Sequence, residues 1–231
     1  MMKKIILILW LLSIPATVIC QNAERSLLEK GNFFSGLSFN FSAKNTDNKD
    51  VLVYKIYDQH KDNININLDQ GYFIKDHFSL GALINYSSDS RKGTELSTQN
   101  ILSDIQSRTI GWSVYATMRN YFSLDASQRF NVFNMIKLGG VVENSLTEKV
   151  TSDILERTYT QRRSIELLFY PGLMVQIEKG FAIEVGLEIA GIKTQWTDTE
   201  VNGVAGASES LVSADFNINI LKMGVGFYYY Y

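Results

Sequence analysis

The sequence predicts an all-β chain, an eight-stranded antiparallel up-and-down transmembrane β-barrel with short periplasmic turns and long extracellular loops. Three observations carry that expectation. Large apolar residues recur with period two rather than 3.6 in eight successive segments. The polar connections between them are alternately short and long. After the N-terminal leader, no apolar run reaches the ~20 residues of a membrane-spanning helix, and a closed barrel is the other structure that satisfies every backbone group in lipid.

The leader is MMKKIILILWLLSIPATVICQN, in which Lys3 and Lys4 precede an apolar run broken by Ser13 and Pro15. This is the pattern of a secretory signal peptide. The expected organisation is a signal peptide over 1–20, a short periplasmic N-terminal segment over 21–30 and an outer-membrane β-barrel domain over 31–231. Lipidation at Cys20 is the rival use of that residue, but Ile19 stands where a lipoprotein site wants a small side chain. Cys20 is the single cysteine, so the exported chain has no disulfide. A formal net charge of -2 gives no reason to expect nucleic acid as a partner.

The first segment, NFFSGLSFNFS, sets Phe33, Leu37, Phe39 and Phe41 against Gly36, Ser38, Asn40 and Ser42. The second sets Ile64, Ile66, Leu68 and Tyr72 against Asn63, Asn65, Asn67 and Asp69. Phe78, Leu80, Ala82, Ile84 and Tyr86 form the apolar face of the third, and Ile110, Trp112, Val114, Ala116, Met118 and Phe122 that of the fourth. In the fifth, from about Phe130 to Val142, Asn134 falls in the apolar phase while Phe133 and Met135 fall in the polar one, so its register is open. The sixth alternates Ile165, Leu167, Phe169, Leu173 and Val175 with Glu166, Leu168, Tyr170 and Gln176. The seventh alternates Phe181, Ile183, Val185, Leu187 and Ile189 with Ala182, Glu184, Gly186 and Glu188. The eighth, KMGVGFYYYY, turns Leu221, Met223, Val225, Phe227, Tyr229 and Tyr231 one way and Lys222, Gly224, Gly226, Tyr228 and Tyr230 the other. The phase slips between Ile220 and Leu221, so either a bulge sits there or Phe216 to Ile220 lies above the lipid.

The short connections are KDH, SLDASQR and EKG. The long ones cover roughly 43–62, 88–108, 144–163 and 192–214. Volume decides which face points outward. An eight-stranded barrel is only just wide enough to be filled by side chains, and four or five large apolar residues per strand do not fit inside it. A soluble lipocalin-like ligand-binding barrel, the alternative with an apolar interior, is therefore disfavoured. Aromatic residues also sort by turn length. Tyr72, Phe78, Phe122, Phe130 and Phe181 lie near short turns, and Phe39, Phe41, Tyr86 and Trp112 near long connections, as two interfacial girdles require.

GYFIKDHFSLGALINY, MRNYF and YPGLMVQIEKGFAIEVGLEIAG together resemble the small outer-membrane β-barrel proteins of the OmpA-like and OmpX-like eight-stranded architecture, over essentially the whole mature chain. The resemblance implies a fold, not an activity. It also implies that the terminal aromatic pattern, Phe227, Tyr229 and Tyr231, is an assembly signal read by the barrel-assembly machinery. Pro171 cannot donate a ladder hydrogen bond, so a bulge or bend is expected there.

The inward-facing ionisable residues are Asp69, Arg119, Lys137, Glu166, Glu184, Glu188 and Lys222. With both signs present, they are expected to form an ionic plug that holds the barrel shape, because buried charges must be paired. A proton or ion path, giving a narrow passive pore for small solutes, is the alternative. No catalytic, cofactor or metal residues are expected. The two histidines, His60 and His77, fall on opposite sides of the membrane, and no nucleophile motif or metal-ligand spacing occurs. The expectation is a monomeric outer-membrane protein in contact with outer-membrane lipid, with a structural or surface-interaction role and an extracellular partner for its charge-balanced loops.

Overall fold

The computed structural model describes residues 26–50, 54–97, 101–152, 154–178, 180–216 and 223–231. The expectations for the leader, Cys20, Lys222 and the slip at Ile220 lie outside the described residues. Ten strands are present among them: β1 (Phe33–Asp50), β2 (Tyr54–Lys75), β3 (Phe78–Ser97), β4 (Leu102–Ser123), β5 (Phe130–Thr151), β6 (Ile154–Glu178), β7 (Phe181–Gly186), β8 (Ala190–Val201), β9 (Val204–Phe216) and β10 (Gly224–Tyr230). Every pairing is antiparallel, and β10 pairs with both β1 and β7, which closes the sheet into a ring. β7 and β8 pair with successive stretches of β6, so they are two pieces of one stave. β9 and β10 pair with β8 and β7 in turn, and form the eighth stave.

The break between β7 and β8 is a bulge. Gly172 pairs with Gly186 and Phe169 with Ala190, so Tyr170 and Pro171 on β6 face three residues, Leu187, Glu188 and Ile189. One extra residue exchanges the faces of a strand. Below the bulge Glu184 points inward with the even-numbered residues; above it Lys193 points inward with the odd ones. The irregularity expected at Pro171 is thus present, but it deforms the partner strand. The Leu187 amide still donates to the Pro171 carbonyl at 3.1 Å. The seventh segment, read from sequence as continuous to Ile189, is corrected accordingly. On the eighth stave, Phe216 pairs with Ala190 above the bulge and Gly224 with Gly186 below it.

In β5 the alternation is unbroken. Phe133 and Met135 are buried inside the barrel and Asn134 faces outward, which resolves the open register. The outer wall carries Leu68, Trp112, Val114, Leu138, Ile165 and Phe227, all large, apolar and exposed. This is a wall for lipid, and it excludes the lipocalin-like alternative. At the short-turn end Tyr72, Phe33, Tyr231, Tyr229 and Phe181 form a continuous outward aromatic belt, with neighbouring ring centroids 4.7–5.9 Å apart. Tyr86 and Trp112 pack at 4.9 Å in the opposite girdle.

The four long connections are not loops. They are continuations of the hairpins, paired as far as Asp50↔Lys55, Leu96↔Leu102, Thr151↔Ile154 and Val201↔Val204. β4 has 22 residues, about 70 Å at ~3.3 Å per residue, whereas ~9–11 residues cross a membrane. Cross-strand hydroxyl pairs line these extensions: Ser103 with Thr151 at 2.6 Å, Ser107 with Thr147 at 2.9 Å and Thr109 with Ser145 at 2.9 Å. Such pairs, together with threonine's preference for a pleated surface, stabilise a polar sheet in water.

Candidate functional site: the buried arginine cluster

β4 presents Thr117, Arg119 and Tyr121 on successive inward positions, and Arg119 is only 1% exposed. A guanidinium cannot lose its charge inside a protein, so it needs carboxylates. Two converge on it from other staves. Arg119 Nη2 bonds Asp69 of β2, and Arg119 Nη1 donates to Glu184 Oε2 of β7 at 2.7 Å. Three tyrosines complete the shell. Tyr230 Oη donates to Glu184 Oε1 at 2.5 Å, Tyr121 Oη to the same oxygen at 3.4 Å, and Tyr228 Oη to Asp69 at 3.4 Å. Around the guanidinium stand the rings of Phe34, Tyr228 and Phe133, at 4.9, 5.1 and 5.5 Å from its central carbon. Stacking and hydrogen bonding together suit arginine and would not suit lysine.

The ring-filled layer fits because glycine stands opposite it. A Cβ on Gly36 would run into the Tyr228 ring, and one on Gly71 into that of Phe34. Towards the short turns Phe34, Phe73, Tyr121, Phe133, Met174, Ala182 and Tyr230 form one buried cluster, joined by Leu28. Leu28 belongs to the segment before β1, which folds under the ring. The His77 amide donates to the Leu28 carbonyl at 2.7 Å, the Lys30 amide to Asp76 at 2.8 Å, and the Asn32 side chain to the Ser26 and Leu27 carbonyls at 3.1 and 3.2 Å.

The seven ionisable residues expected to act together are divided. Asp69, Arg119 and Glu184 form the buried cluster. Glu166 lies higher, 3.0 Å from Lys193, and accepts bonds from Tyr115 at 3.0 Å and Ser164 at 2.9 Å. Lys137 lies between the two groups with its ammonium 4.2 Å from the centre of the Tyr170 ring. Glu188 sits in the bulge, exposed, outside the buried cluster. The missed members are Lys193, which falls in a stretch whose polarity resembles a loop, and Leu28, which has no periodic neighbours. Phe34 and Phe73 are missed because large aromatics are expected outside. The signal available for Phe34, and for Tyr228 on β10, is the glycine that faces each of them across a strand, Gly71 and Gly36.

Arg119 is paired with two carboxylates, and the tyrosine hydroxyls donate to those same carboxylates, so the cluster is one connected network of charges and hydrogen bonds. His60 bonds Asp62 at 2.9 Å in the outer part of the β1–β2 hairpin, while His77 lies in the short turn after β2, at opposite ends of one strand. Phe227 faces outward and exposed, whereas Tyr229 and Tyr231 are half-buried in the aromatic belt. Among the described residues no group of three or more His, Cys, Asp or Glu is placed to hold a metal.

No family model matches the chain, and no curated protein matches it. Among solved structures it is similar to Neisserial surface protein A, at 14% identity and a TM-score of 0.35, over 87% of this chain and 97% of that one. It is similar to Ail, the attachment invasion locus protein of Yersinia pestis, at 11% identity and a TM-score of 0.37, over 87% and 99%. It is likewise similar to a major outer membrane protein of Thermus thermophilus, at 7% identity and a TM-score of 0.42, over 87% and 99%.

Proposed function

We propose that this protein is an integral outer-membrane barrel, closed to solutes at its periplasmic half, whose β-walled hairpins stand above the outer leaflet in a structural or surface-interaction role. The observation that carries the reading is the layer around Arg119. Charged and aromatic side chains from β1, β2, β4, β5, β7 and β10 meet there with 0–6% exposure, over a base that includes Leu28. Burying this many paired groups gives a rigid cross-section, since breaking any one pair leaves a charge without a partner.

The hairpins bring mixed charges, Arg157 with Glu148 at 2.9 Å and Lys61 with Asp89 at 3.8 Å. Such a surface suits contact with an extracellular protein rather than steering of one charged solute. The ring closes within one chain, so a monomer needs no second copy to complete its sheet, in keeping with a monomeric barrel. Its terminal Phe227, Tyr229 and Tyr231 serve recognition by the barrel-assembly machinery.

Planar-bilayer recording of the purified protein tests the closure. The expected result is an absence of reproducible conductance steps. Small-ion steps abolished by Glu184→Gln would instead establish a narrow pore. Heat-modifiable migration in detergent gels, together with fractionation with membranes, tests the location; a detergent-free soluble monomer would contradict it.

A further inference from the structure

We propose that the outer wall at β5, β6, β8 and β9 is a binding site for a single membrane lipid with an anionic phosphate headgroup, which Arg163 holds while an acyl chain lies in the groove below it. This rests on the membrane-spanning reading above.

The groove has a volume of about 340 Å³ and is lined by Leu168, Gly191 and Asp215 together with six residues that form its apolar wall, Ile136, Leu167, Phe169, Ala190, Ile192 and Ala214. Phe169 pairs with both Ile136 and Ala190, and Ile192 with both Leu167 and Ala214, so all six side chains leave the same, outward face. The depression has a local cause. Ala190 is the first residue after the bulge at 187–189, and it and Ala214 put methyl groups where their neighbours carry large side chains. The surface on either side is continuous with the lipid-facing wall, and only a hydrocarbon chain reaches a recess at this height. An acyl chain gains no hydrophobic free energy by leaving other lipid chains. The gain is dispersion contact with a recess that freely packed chains fill poorly.

Selectivity must then come from the headgroup. Arg163 is on the outward face of β6 four residues above Leu167, about 13 Å along the strand at ~3.3 Å per residue. It is opposite Trp196 on β8 and Val142 on β5, and Val142 is in turn opposite Trp112, so it sits in the outer girdle. Neighbouring arginines have carboxylates: Arg162 has Glu143 at 4.0 Å and Arg157 has Glu148 at 2.9 Å. Among the described residues Arg163 has no carboxylate within ion-pair distance, and its side chain donates to the neutral Gln161 Oε1 at 2.5 Å. An exposed guanidinium at the headgroup level, beside an interfacial tryptophan, matches a phosphate in geometry and in depth.

Trp196 supplies the readout. The chain from Gln21, with Trp112→Phe so that Trp196 is the remaining tryptophan, is reconstituted into phosphatidylcholine vesicles containing chain-brominated phosphatidylglycerol or chain-brominated phosphatidylcholine. The anionic lipid should quench Trp196 with an apparent affinity about fivefold higher. Arg163→Gln should abolish that preference, and Ala214→Leu should weaken quenching by both lipids while leaving the preference intact. Equal quenching by the two lipids in the parent, or a preference that survives Arg163→Gln, overturns the headgroup assignment. Unchanged quenching in Ala214→Leu overturns the groove. Both variants change outward side chains, and heat-modifiable migration reports whether each barrel has formed. Protein that remains outside the vesicles contradicts the membrane reading itself, and the site with it.

Discussion

The two ends of the barrel use one set of staves in opposite ways. At the short-turn end the inner face carries arginine, carboxylates and rings packed to near-zero exposure, and the ring of strands is closed by β10. At the long-hairpin end the inner face carries Ser and Thr in small hydrogen-bonded pairs beside partly exposed ion pairs such as Lys61 with Asp89 and Arg91 with Glu95, and among the described residues β9 pairs with β8 alone. Backbone pairing is common to both. What differs is the cost of disturbing a side chain, because an interior charge has no water to fall back on while a hydroxyl in the hairpins does.

Substitutions should therefore rank by height. Arg119→Ala leaves Asp69 and Glu184 buried without their cation and should cost about 3–5 kcal/mol, read as a lowered midpoint in denaturant titration of the refolded barrel. Gly71→Val drives a side chain into the Phe34 ring and should cost about 1–3 kcal/mol by the same measurement, with retained heat-modifiability at low temperature. Deleting Tyr231 removes one ring of the outward belt, stacked 5.9 Å from Phe33, and should reduce membrane-assembled yield. Normal yield in the truncated protein would count against an assembly role. Ser107→Ala in the outer hairpins should change stability by about 0.2–1 kcal/mol; a loss as large as that of Arg119→Ala would erase the contrast between the ends.

The smallest effect expected is at a short turn. Ser127 and the Phe130 amide donate to the exposed Asp125 carboxylate and hold its pKa below the ordinary 3.8. A depressed carboxylate stabilises the fold above its unfolded-state value and loses that contribution as pH falls through its folded value. Asp125→Asn should accordingly remove a slight stabilisation near pH 7 and flatten the fall in stability below about pH 4, as pH-dependent unfolding would show.

The membrane-crossing half was legible because lipid favours apolar residues at alternate positions, as at Ile110, Trp112, Val114, Ala116 and Met118. The outer half was not, since Ser and Thr on a wet inner face look the same in sequence as a polar loop. Its clearest signal is local. Asn202 and Gly203 have φ values of 50° and 81° between Val201 and Val204, and Asn-Gly between strand formers marks a two-residue hairpin turn. Pro171 marked the site of an irregularity, but the missing amide could not say which strand would carry the extra residue. Asp69, Arg119 and Glu184 could be assigned inward from phase alone. Their contact could not, because it depends on the stagger of staves far apart in sequence.

Closure of the inner cross-section at Arg119 is tested most directly by thiol accessibility. Ser107→Cys lies on the inner face in the outer hairpins, and Met174→Cys lies inside the buried cluster. With a bulky, membrane-impermeant maleimide applied to the folded protein, the thiol at position 107 should label readily and the one at position 174 only after unfolding. Rapid labelling at position 174 in the folded barrel would contradict the closure.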